Sequence, residues 1–169
     1  MNPSLHTVLL ELSEQVAAEG WDQPPRLFAL VATADLQRDD PAFAAKLGLA
    51  DVDPDVAPWT ALEDDFGNAT LEQVAWPPSV GGCALAVERV TLPPEAEAQL
   101  PQDPEAALNW AAEHPDRQEI RLVAVMLRDG ERDASVRFRT FDKRENMLFG
   151  PELISDDLVA ALYQTFQEL

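Results

Sequence analysis

The chain has 169 residues, 46% of them hydrophobic, with 31 acidic against 12 basic residues and a formal net charge of −19. That length suits one domain spanning 1–169 with a real core, and the charge opposes phosphate backbones and so excludes nucleic-acid binding. No apolar run nears the roughly 18 residues of a membrane span, no basic-then-apolar leader opens the chain, and the single Cys83 rules out an internal disulfide, so a cytoplasmic protein is expected.

Leu5, Val8, Leu9, Leu12 and Val16 recur at helical spacing, with Ser4 as N-cap and Gly20 as stop, and predict an amphipathic first helix. His6 near its start has no histidine or cysteine at ligand spacing, so an exposed side chain is expected there. Trp21 to Arg26 reads as a stiff connection, with Trp21 packing over the helix end, and Leu27 to Thr33 as a strand apolar on both faces. Residues 35–48 suggest a short helix or excursion, with Pro41 at N1 after Asp40 and Phe43, Ala44 and Leu47 on one face.

Asp51-Val-Asp-Pro-Asp55 alternates acids as a calcium loop does, but Val56 stands where the sharp turn needs glycine. A solvated acidic loop is expected. Trp59 to Phe66 follows as a second strand, and Leu71, Val74 and Ala75 after Asn68 as one or two helical turns. The central strand is read around Cys83 to Val87, between the Pro77-Pro78 and Pro93-Pro94 pairs, since prolines lack the N–H a ladder needs. Cys83 is expected to be a small buried hydrophobe.

Asp103 and Pro104 cap and open a helix through Leu108, Trp110 and Ala111 that ends at Pro115. His114-Pro-Asp116 also occurs in J-domain co-chaperones, which set it between two helices after a basic one; that context is absent here. Ile120 to Leu127 and Ala134 to Phe141 form a hairpin about Asp129-Gly130. In the return strand Ala134, Val136 and Phe138 share one face, and Ser135, Arg137 and Arg139 the other, read as a wet face or a surface for an acidic partner. From Arg117 to Arg144 eight basic residues meet five acids, a local +3 against −22 elsewhere. Ser155 caps a last helix with Leu158, Val159, Leu162, Tyr163, Phe166 and Leu169 in a broad apolar stripe.

No phosphate-binding glycine loop, HExxH, GxSxG or CxxC occurs, so no catalytic residue, cofactor or metal site is assigned. Three phrases carry a likeness: Gly20-Trp-Asp-Gln-Pro-Pro-Arg-Leu-Phe-Ala-Leu-Val31, Ala75-Trp-Pro-Pro78 with Gly82-Cys-Ala-Leu-Ala-Val-Glu-Arg89, and His114-Pro-Asp-Arg117 with Leu127-Arg-Asp-Gly130. Through them the chain resembles a family of small acidic proteins of unassigned function from high-GC Gram-positive bacteria, the actinobacteria. The element order is also similar to that of type III secretion chaperones, which implies, as fold analogy only, a client-holding role and a homodimer.

These readings predict an α+β domain: a mostly antiparallel, twisted sheet of about five strands with helices covering one face. The expected function is a non-enzymatic, chaperone-like adaptor that binds a protein partner or client on the uncovered sheet side or an edge strand, using Trp76 as anchor and Arg137 and Arg139 for orientation. The alternative is a small-molecule binder or enzyme with a pocket between the sheet and the 35–66 excursion.

Overall fold

The first apolar stripe of the chain becomes α1 (Pro3–Ala18), which starts one residue before the expected cap and is closed by Gly20 at a positive φ of 87°. A computed structural model describes residues 3–64 and 71–167. After α1 come β1 (Arg26–Ala32), α2 (Thr33–Asp39), α3 (Pro41–Lys46), β2 (Trp59–Asp64), β3 (Gly82–Thr91), α4 (Pro94–Glu97), α5 (Pro104–Glu113), β4 (Gln118–Leu127), β5 (Arg132–Phe138), β6 (Leu148–Phe149) and α6 (Asp156–Gln164). The caps behave as their chemistry requires: carboxylates of Asp40 and Asp103 accept from Phe43 N and Ala106 N at 3.1 Å, and Ser155 Oγ accepts from Leu158 N at 3.3 Å. Asp65, Phe66 and Asn68, read as strand end and helix start, lie outside the described residues.

The strands form one antiparallel sheet in the order β2-β1-β3-β4-β5-β6, so the segment around Cys83 lies inside the sheet, paired on both edges. It runs in from the loop after Pro78 and stops at Thr91, short of Pro93. The β4–β5 hairpin turns at Gly130, whose φ of 93° favours glycine. Five strands were legible in the sequence; β6, two residues long, is the sixth.

The expectation that helices cover one face needs correction. Because successive strand side chains point to opposite faces, the unbroken apolar runs of β1, β3 and β4 offer two apolar surfaces, and each needs cover. Phe28, Leu30, Ala84, Ala86, Val123 and Val125 pack under Leu5, Val8, Leu9, Leu12 and Val16 of α1. Their neighbours Leu27, Cys83, Leu85, Leu122, Ala124 and Met126 pack with Leu158, Leu162 and Phe166 at the other end of the chain. The terminal helices are thus the main covers, one to each side, and the uncovered sheet side proposed for docking is absent beneath them.

Packing also explains the glycines before β3. A Cβ on Gly81 would sit 2.6 Å from the Trp59 ring, so the edge-strand indole lies on a surface only glycine leaves open. Of the three residues read on one face of the excursion, Ala44 is buried while Phe43 and Leu47 are exposed.

Candidate functional site

On the α1 side, beyond the end of that helix, the sheet changes from apolar to charged. Register sets Glu88 of β3 opposite Arg121 of β4, and Arg121 opposite Arg137 of β5. The wet face read for β5 is instead covered. Ser135 is buried against Ser13 of α1, Oγ to Oγ at 2.7 Å, and Arg137 keeps only 11% of its side chain exposed. The Gly20–Gln23 connection, read from the sequence as a stiff link with Trp21 over the helix end, instead lies against Arg121 and Arg139.

That connection is anchored by charge. Glu88 accepts from Asp22 N at 2.9 Å and Gln23 N at 2.8 Å, which holds Asp22 at a positive φ of 66°. Asp22 in turn receives both terminal nitrogens of Arg139, at 2.6 and 2.9 Å, and these hydrogen bonds hold its carboxyl below the usual range. The Trp21 ring lies over the guanidinium of Arg121 at 4.4 Å and near that of Arg139 at 5.7 Å, and its Nε1 donates to Asp142 at 2.8 Å. Trp21 therefore packs on arginines over the sheet.

Arg137 and Arg139 are brought together; Trp76 is not. Trp76 lies on the α6 side, half-buried against the second core, with its backbone N–H donating to Thr165 O at 2.8 Å. Its indole nitrogen is buried near the Cys83 thiol without a hydrogen bond of ordinary geometry. Arg128 closes this corner through carbonyls of Trp76 (3.2 Å), Pro77 (2.6 Å), Val80 (2.6 Å) and Phe166 (3.3 Å), and stacks on the Phe166 ring at 5.1 Å. Burial pushes the Cys83 thiol up to about 12, against weaker opposite effects of Thr165 and Trp76. At pH 8 this leaves roughly a thousandfold less thiolate than an ordinary cysteine. A maleimide or disulfide reagent is therefore expected to label native protein far more slowly than unfolded protein; equal rates would contradict it.

The sequence also missed His6. Instead of projecting freely it meets the buried Asp133 at 3.0 Å through Nδ1 and lies edge-on to Phe149 at 5.3 Å. Asp133 is 127 residues away, one carboxylate among many, and no spacing pointed to it. Among the described residues no group of three His, Cys, Asp or Glu side chains could hold a metal ion.

Two recesses among the described residues are large enough for a small molecule. A cleft of 360 Å³ opens between α1, β2 and the segment leading into β2, walled by Val8, Leu12, Leu49, Val52, Ala57 and Trp59, with Glu11, Gln15 and Thr60 as its polar groups. Thr60 Oγ1 is already engaged by Thr33 at 2.8 Å. A more open depression of 460 Å³ lies by Gln118, Phe138, Phe141 and Asn146.

These features define an α+β protein built on one open antiparallel sheet, with a closed charged cluster and an apolar cleft on the α1 side. The PPA1309-like protein family matches residues 5–167, nearly the whole chain, and the protein belongs to that family. No curated protein and no solved structure matches it. Among the described residues no helix is long and apolar enough to cross a membrane.

Proposed function

We propose that the protein is a non-enzymatic binding protein whose ligand seats in the cleft between α1, β2 and the segment 49–57. The observation carrying this reading is the cleft itself: 360 Å³, within the range of small-molecule sites, apolar in its walls, with Glu11 and Gln15 near the opening. A ligand with an apolar body and a cationic or hydrogen-bond-donating head suits it. Glu11 and the net charge of −19 both disfavour an anionic head.

The test compares hydrophobic amines with the matching carboxylic acids, followed through Trp59 fluorescence and the amide signals of β2. The amine is expected to bind about tenfold more tightly than the acid, the worth of one charge-assisted contact. Ala57→Trp, which fills the cleft, should abolish binding while the protein stays folded. Equal binding to the wild type and the filled variant would overturn the proposal.

One observation favours a second reading, the chaperone-like adaptor: among the described residues no strand pairs with the outer edge of β2. An extended, apolar client segment could add there, with Glu63 and Asp64 at one end guarding against unselective pairing. Protection of the Trp59–Asp64 amides from exchange by an added strand-forming peptide, with no response to amines, would select this reading over the first. Arg137 and Arg139 serve it poorly as orienting groups, since both are held by carboxylates of the chain itself.

A further inference from the structure

The arginine row under the Gly20–Gln23 connection has more donors than acceptors. Arg121 is 2% exposed and its Nη1 finds no hydrogen-bond partner among the described residues; neither do Nε and Nη1 of Arg137. Asp142 Oδ1 approaches Arg137 Nε to 2.5 Å, but off the direction a hydrogen bond needs, so the contact is an ion pair that leaves the N–H unsatisfied. The other oxygen, Oδ2, is used by Trp21.

Glu88 is likewise committed to two backbone N–H groups and stands 3.4 Å from Arg121 Nη2, which also donates to Gly20 O. Two guanidiniums placed directly opposite on paired strands repel, and buried unsatisfied donors are costly. Both costs are removed by one acceptor group between them.

We propose that Arg121 and Arg137 hold a small oxyanion, a phosphate or carboxylate group, between them beneath Trp21. The space along Arg121 by Val16, Gln23 and Pro24 is too tight for a water, so the acceptor is not seated on that side. Arginine forks suit such a group because their paired N–H bonds match its oxygens. The carboxylates around the row, Asp22, Glu88, Glu119 and Asp142, oppose the anion, while Arg139 at the rim favours it. Affinity is therefore modest and weakens with salt.

The experiment titrates the protein with inorganic phosphate, and separately with acetate, at constant ionic strength set by sodium chloride, reading the Trp21 indole N–H signal and the thermal midpoint. A saturable shift by either anion is expected; the anion with the lower half-saturation identifies the group preferred. Arg137→Gln should abolish the shift, and the exposed Arg89→Gln should leave it unchanged. Asp142→Asn, which removes the rival carboxylate, should tighten binding about tenfold, roughly one lost charge contact. A purely structural cluster predicts no such gain. A shift that does not saturate, one that survives Arg137→Gln, or an Asp142→Asn variant that binds no more tightly would each overturn the proposal. The Asp142 arm decides the matter if Arg137→Gln fails to fold.

Discussion

Leu9→Ala and Leu162→Ala are each expected to lower the unfolding free energy by about 3 kcal/mol, and the double variant by close to their sum. Both side chains are fully buried, one in the core beneath α1 and the other in the core beneath α6. Truncating either removes buried methyl groups and leaves a cavity that close-packed strands refill poorly. Additivity is the informative part. With both helices on one face the two leucines would share neighbours and couple; with the sheet between them, each loses its own contacts. Urea unfolding of the four proteins measures this, and a coupling above about 1 kcal/mol would contradict two separate cores.

Arg128→Ala is expected to cost about 3 kcal/mol, the scale of removing a charged donor from several acceptors at once. Its guanidinium reaches carbonyls in the 76–80 loop and near the end of the chain, and without it Val80 O would be left among buried groups. Arg128→Lys should restore little, because one ammonium cannot reproduce a fork spread over four carbonyls. Amide exchange gives a local readout. Trp76 N–H, bonded to Thr165 O, and Gly81 N–H, bonded to Leu30 O, should exchange faster in Arg128→Ala, and the first much more than the second. Equal protection in variant and wild type would mean that α6 is held by its apolar contacts alone.

Much of the architecture was legible because the signals are short-range. Helical spacing marked α1 and α6, capping residues marked α3, α5 and α6, and Asp129-Gly130 marked the hairpin. The double prolines bracketed β3, whose ladder runs from Gly82 to Thr91 between them. Missed elements were those with weak local signals: α4 is a single turn and β6 spans two residues. The site was far less legible. Trp76, read as the anchor, is half-buried by the packing of α6, which nothing within a few positions of it signals. The alternation that isolated Arg137 and Arg139 on one face was sound, yet alternation cannot say whether a face is wet. Their partners lie outside the strand, and for Arg139 and Asp22 the separation is 117 residues.

By itself, then, the sequence determined where the longer helices and strands lie and that β1, β3 and β4 are apolar on both faces. Tertiary structure decided which helix covers which face, that Trp21 lies over Arg121, that His6 meets Asp133, and that a cleft opens between α1 and β2. The division is physical. Periodicity, caps and turn residues act within a few positions, whereas the contacts of His6 with Asp133, Trp21 with Asp142 and Arg121 with Gly20 join residues 127, 121 and 101 apart, brought together only once the sheet has closed its ladder and both helices have docked.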